Sequence, residues 1–388
     1  MVIIYSRSIM KVSKLPGFGS FGTLIENFDW QNPEDYKTLR DLNVKSLVTV
    51  VKGDGTDQFP HLVKNFRHTV TVRNLSNRRM MRHGPNWMNT QSPEEKRAAE
   101  LTSRWGLGDH APNWHRVTGK RDDEGHRVGA FGDTELLWHS NEYASSTFCP
   151  VVALYGANHM NTSATCFLQT VDWYEKQTES FRSELDEMIV VGKWDNELLQ
   201  PGSSFEDHIT MKMAFVPDDT LRTPLVIKSP GDHKALHWST WITGIEGLSQ
   251  QDSDKLIAKI TKEIFVDEYQ YDYWWDHSKG DMVLFDNTVT MHMRKVKESL
   301  NLKAELHERL GYRNVGDYAG MEDYNPFFHS EFREKRNKLM KIIRKINKTG
   351  WTYHLDKLET LSSLAEKEQY IMQHVPEQEQ TYVKEALA

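Results

Sequence analysis

Cysteine is scarce: Cys149 and Cys166 are the only two in 388 residues, too few for a disulfide framework or a thiolate zinc centre. A reduced, cytoplasmic setting is expected. Long apolar runs are missing too. No stretch approaches the roughly 20 apolar residues that a membrane-crossing helix needs. The opening MVIIYSRSIM lacks a charged segment followed by an apolar one, so neither a membrane association nor an export signal is expected. Basic residues are not in excess. Lys and Arg total 48 against 55 Asp and Glu, a net charge of -7, and no basic stripe interleaves with aromatics, which disfavours a nucleic-acid partner. Internal repeats and low-complexity tracts are absent as well, which removes solenoids and disordered linkers from consideration.

What the chain does have is material for a large core, with 38% apolar residues including 12 Trp, 14 Tyr and 16 Phe. The β-branched run over residues 44–51 predicts a strand ending at Gly53-Asp54-Gly55. Residues 92–104 predict a helix with Pro93 in its first turn, and the polar stretch 113–132 predicts a long loop. Further strands are expected over 134–139, 151–158, 209–216, 225–228, 235–238 and 282–286. Helical spacing marks 172–188, and an S-x-x-D start marks 249–264. The last 60 or so residues change character, with helical patterns at 332–346 and 360–373. Short strands with helices between them, but no regular βαβ alternation, indicate a mostly-β core with helical elaboration. The expected organisation is a domain over 1–330 and a helical extension over 331–388, packed on the core or in a homo-oligomer contact.

Two histidines carry the chemical interest. His139 ends one strand-like segment and His292 follows another far downstream. A non-haem iron oxygenase binds its metal through two imidazoles and a carboxylate on one face, leaving the other positions open. Alternate side chains of a strand point the same way, so residue 141 shares the face of His139, and His292 arrives from a distant strand.

The surrounding motifs resemble the taurine dioxygenase family of Fe(II)/2-oxoglutarate-dependent oxygenases. Trp138-His139-Ser140-Asn141 stands where that family has W-H-[ST]-D, and Thr165, in SATCF, is similar to its co-substrate threonine. Gly280-Asp281 through Asp286-Asn287 to His292 resembles the G-D-x-x-x-x-D-N-x-x-x-x-H block that bears the distal histidine. Lys234-Ala235-Leu236 and the segment 244–249 resemble the connecting region. Two arginines four residues apart follow in the family. Direct offsets here fall on Lys303 and His307, whereas Arg309 and Arg313 keep the separation after an insertion.

The resemblance implies a double-stranded β-helix (jelly roll, cupin-like) core. It implies Fe(II) held by His139, Asn141 and His292, and 2-oxoglutarate held by Thr165, Arg309 and Arg313, with Arg294 as a further candidate cation. The implied reaction consumes O2, hydroxylates a small polar or anionic molecule, and releases succinate and CO2. Asn141 departs from the family's aspartate, and several readings stay open. Asn141 binds the metal directly or through water; Glu142 supplies the carboxylate, if a bulge or turn brings it round; a halide fills the position, as in related halogenases; or the chain is a catalytically impaired, pocket-retaining binding protein. Asn113, Trp114 and Arg116, just ahead of the iron strand, are the candidate substrate wall. Trp274 and Trp275 are expected to brace the distal strand, and His237 to be structural.

Overall fold

Met282–Asp286 is buried along its whole length, and its alternation divides two cores. Val283 and Phe285 enter one apolar cluster, Met282 and Leu284 the other, as a two-residue period requires. This strand, β15, follows the Gly280-Asp281 turn where the sequence places it. The computed structural model describes residues 9–72, 114–125, 128–131, 136–144, 148–195, 220–276, 279–296, 308–322 and 364–374, with Pro93, Tyr324 and Gln380.

Among the described residues the larger sheet has eight strands. Its order is β1 (Lys11–Lys14), β2 (Thr23–Glu26), β3 (Val48–Val51), β15, β7 (Val151–Asn158), β17 (Leu310–Tyr318) and β4 (Val70–Val72), with β5 (His115–Thr118) also paired to β17. A second sheet of four runs β14 (Gln270–Trp274), β8 (Ser163–Gln169), β16 (Thr290–Val296), β6 (Leu136–His139). The two share the inner cluster, where Phe167 of β8 meets Phe285 of β15 at 5.1 Å between ring centroids. Successive strands β6, β7 and β8 cross between the sheets, and β14 to β17 do so again. That is the winding of a double-stranded β-helix. Smaller sheets flank it: β9 (Ile189–Lys193) lies between β10 (Thr220–Pro224) and β13 (Ile242–Ile245), and β11 (Val226–Lys228) pairs with β12 (Lys234–Leu236).

The outer face of the large sheet is covered by α1 (Pro33–Ser46) and α2 (Phe59–Asn65), which with Phe66 just past the end of α2 bring Tyr36, Leu39 and Leu62 onto Val151, Ala153 and Tyr155. Helix α1 escaped the sequence reading, although its start is well signed. Asn32 accepts from the Glu34 amide, Pro33 opens the first turn, and Glu34 and Asp35 favour the positive end of the helix dipole. It takes residues 44–46 from the expected strand. The chain breaks at Leu47, which adopts φ 63, and the strand begins only at Val48. The helix expected over 172–188 is likewise two, α3 (Val171–Glu175) and α4 (Glu179–Glu187), because the Thr178 hydroxyl caps a fresh start by accepting from the Phe181 amide. The next helix, α5 (Gln250–Ile264), starts as expected, with Ser249 accepting from the Asp252 amide. The polar stretch 113–132 is not loop throughout, since β5 within it pairs with β17.

The strand expected over 209–216 and the helix expected over 332–346 lie outside the described residues, as does the helix expected over 92–104 apart from Pro93, which is helical. Near the C-terminus the structure has helix α6 (Leu364–His374). Among the described residues no helix is long and apolar enough to cross a membrane.

Candidate active site

Strands β16 and β6 place His292 directly opposite His139. Side chains on one such rung point the same way from backbones a few ångströms apart, and the ring centroids are 4.1 Å apart. The Nδ1 of His139 lies 2.7 Å from the Leu137 carbonyl. Donating that proton leaves the Nε2 lone pair directed into the cavity. Burial drives both imidazoles toward the neutral form. It takes His139 down to about 4, reinforced by the Arg313 and Arg294 charges against the opposing Leu137 hydrogen bond. It takes His292 well below the ordinary value, with His139 and Arg313 adding to the effect. Neutral imidazole is the form that binds a metal.

Beyond β6 the chain turns back, and one side chain fixes the turn. The Asn287 Oδ1 accepts from the Asn141 amide at 2.9 Å, while its Nδ2 donates to the Asn141 carbonyl at 2.9 Å and to the Cys149 carbonyl at 3.0 Å. Ser140 adds a hydrogen bond to the Thr290 carbonyl at 3.1 Å. The side-chain Nδ2 of Asn141 consequently stands 3.3 Å from the Nε2 of His292, and the structure brings His139, Asn141 and His292 together. Among the described residues no group of three or more His, Cys, Asp or Glu is placed to hold a metal.

Glu142 departs from strand alternation. Its φ of 56 supplies the local turn that would bring its side chain round, and Oε1 comes within 3.9 Å of the Arg313 Nη2, both side chains being buried. That separation is an ion pair rather than a hydrogen bond.

Three buried arginines, Arg294, Arg309 and Arg313, line the same cavity as the two histidines, Asn141 and Thr165. Arg294 follows His292 by two residues on β16, hence on its face, and its Nη1 donates to the Phe131 carbonyl at 2.5 Å. Arg309 immediately precedes β17, and Arg313 lies four residues on, which along a strand is the same face. Burial lowers the Arg309 pKa to about 10, and neither its Nε nor its Nη1 has a hydrogen-bond partner among the described residues. A guanidinium removed from water with donors unused is costly. An anion entering the cavity would relieve that cost.

The apolar wall is formed by Val117, Phe131, Leu136, Leu154 and Met160. Of these the sequence reading singled out none for the site, because an apolar residue becomes a wall only through the topology. The expected wall residues fare differently. Trp114 is buried in the outer cluster, its ring 5.5 Å from Phe59 and 5.0 Å from Phe66. On β5 the cavity receives Val117, so the alternating Arg116 faces away from it. Asn113, Lys303 and His307 lie outside the described residues. His237 is fully buried, stacked on Tyr143 and bonded through Nδ1 to the Thr288 carbonyl, a structural position.

Comparison with known proteins adds a family. The model of the taurine catabolism dioxygenase TauD, TfdA family matches residues 15–299. A taurine dioxygenase from Burkholderia xenovorans superposes with a TM-score of 0.52 at 14% identity, over 79% of this chain and 89% of its own. AAD-2, solved in complex with Mn(II) and N-oxalylglycine, gives a TM-score of 0.50 at 16% identity, over 82% of this chain and 100% of its own. At these identities the superpositions show a shared fold. No curated protein sequence matches the chain.

Proposed function

The chain belongs to the taurine catabolism dioxygenase TauD, TfdA family, and from that premise we propose that it uses iron(II) and 2-oxoglutarate, held at the His139–His292 cavity, to hydroxylate a small polar or anionic molecule. The observation that carries this reading is the pairing of two neutral, inward-facing imidazoles with a buried Arg309 whose donors are unused. A divalent metal suits the first, and a dicarboxylate suits the second.

His139 and His292 hold the metal, with Asn141 in the place of the family's aspartate. A half-turn of the Asn141 amide puts its carbonyl oxygen where the nitrogen now stands, 3.3 Å from the His292 Nε2. That ligand is neutral, so it leaves the centre one negative charge short. Glu142, buried beside Arg313, is the nearby carboxylate that can answer for it. Arg313 receives the distal carboxylate of 2-oxoglutarate, Arg309 serves the keto-acid end, and the Thr165 hydroxyl adds a hydrogen bond to a carboxylate oxygen. Iron and 2-oxoglutarate together supply the activation of O2, with succinate and CO2 released. The protein's own part is placement and the exclusion of water, the latter through Val117, Phe131, Leu154 and Met160.

Asn141 also favours a second reading, in which the pocket persists as a binding site without turnover. Anaerobic metal analysis with and without 2-oxoglutarate, followed by a succinate assay in air, separates the two. The expected result is little iron alone, iron retained with the co-substrate, and slow succinate formation. Iron retained with no succinate would leave the binding protein, and no iron under either condition would defeat the proposal.

A further inference from the structure

The hydroxyl of Thr165 is not free to choose its direction. The indole Nε1 of Trp275, just past the end of β14, lies 3.1 Å from the Thr165 Oγ1. An indole N–H only donates, so the hydroxyl accepts on that side and its single proton must point elsewhere. The antiparallel register of β14 and β8 sets Tyr273 opposite Thr165. Trp275 continues the strand by two residues, on the same face, and so reaches Thr165 along the diagonal that large aromatic side chains can span. The ring is 2% exposed and meets Tyr273 edge-on at 5.4 Å. Across the gap, in the other sheet, a Cβ at Gly156 would come within 3.2 Å of the indole. That close approach holds the ring in one place.

We propose that Trp275 is a positioning residue for co-substrate binding: its indole occupies the acceptor side of the Thr165 hydroxyl and turns the hydroxyl proton into the cavity, toward a carboxylate oxygen of the keto acid. This rests on the reading of Thr165 as a 2-oxoglutarate contact. Trp275 itself does not line the cavity, whereas Thr165 does, so the indole acts through the hydroxyl alone.

The test is a double-mutant cycle on the full-length protein in saturating Mn(II), with 2-oxoglutarate binding followed by calorimetry. Thr165→Val and Trp275→Phe should each weaken binding by about tenfold, the lower end for one hydrogen bond to a charged acceptor. The double variant should bind no more weakly than Thr165→Val alone, and Mn(II) affinity measured without 2-oxoglutarate should be unchanged in all three. Two independent losses that multiply would overturn the proposal, because a packing role for the indole predicts additivity. So would normal binding by Trp275→Phe beside weakened binding by Thr165→Val, which leaves the Thr165 contact standing. Normal binding by Thr165→Val would remove the contact itself, and the proposal with it. Should Trp275→Phe fail to fold, benzothienylalanine at position 275 keeps the shape of the indole without its N–H and is held to the same outcomes.

Discussion

Arg309 is the residue whose environment states most clearly what the cavity receives. Its burial is matched by no hydrogen-bond acceptor at Nε or Nη1 among the described residues, whereas Arg313 already has Glu142 at 3.9 Å. Charge-assisted hydrogen bonds contribute about 1.5–3 kcal/mol each, so Arg309→Met should weaken 2-oxoglutarate binding by roughly 10- to 100-fold and leave metal affinity without the co-substrate nearly unchanged. Calorimetric titrations with co-substrate and with metal check both halves, and equal binding of 2-oxoglutarate by variant and parent would show that Arg309 does not receive the co-substrate. At Asn141 the expectation runs the other way. Asn141→Asp restores an anionic oxygen next to the His292 Nε2, and Fe(II) affinity in the absence of 2-oxoglutarate should rise by about tenfold or more, a difference of ~1.4 kcal/mol. Competition against a chelating dye measures it, and an unchanged affinity would mean that this side chain does not reach the metal.

Among the elements, the turn joining β15 to β16 carries the strictest geometry, since it delivers His292 to its rung. Asp286 organises it by accepting from the Thr288 amide at 2.7 Å, from the Thr288 hydroxyl, and from the Val289 amide at 3.2 Å. Burial nevertheless pushes the Asp286 carboxyl up to about 6 from the ordinary 3.8, against the pull of those hydrogen bonds. A raised carboxyl adds stability that is complete below the unfolded value and is lost as pH rises through the folded one. Between pH 4 and 7 the wild type should therefore lose up to about 3 kcal/mol relative to Asp286→Asn. Denaturant unfolding at stepped pH tests this, and parallel pH profiles for the two proteins would reject it. Strand β15 ahead of this turn was legible beforehand because the Gly280-Asp281 turn opens a short apolar run. Residues 44–51 misled for an equally local reason. Val44 belongs to the buried face of α1, and β-branched residues on both sides of Leu47 read as one strand across a break that only a left-handed φ reveals. Strand β5 was hidden because His115, Arg116 and Thr118 have polar side chains, and its evidence as a strand is its partner, β17.

For the whole molecule, the winding of the β-helix follows from pairings between segments far apart in sequence, such as β17 with β7 and β16 with β6. Local patterning could mark the strands but not their order, and the His139–His292 rung was readable only through motifs. The completed topology divides the site between its two sheets. His139, His292 and Thr165 stand on β6, β16 and β8 of the smaller sheet; Arg313 stands on β17 of the larger. A keto acid that chelates the metal and reaches Arg313 is then a removable cross-link between the leaves of the sandwich, formed with no covalent bond. Opening of the leaves should carry a penalty set by ligand occupancy, about 2.7 kcal/mol at a hundred times the dissociation constant. Amide hydrogen exchange would display it strand by strand. Saturating Mn(II) alone should slow exchange in β6 and β16, and Mn(II) with N-oxalylglycine should extend the protection to β17. Protection confined to the smaller sheet under both conditions would mean that the ligand does not bridge the two leaves.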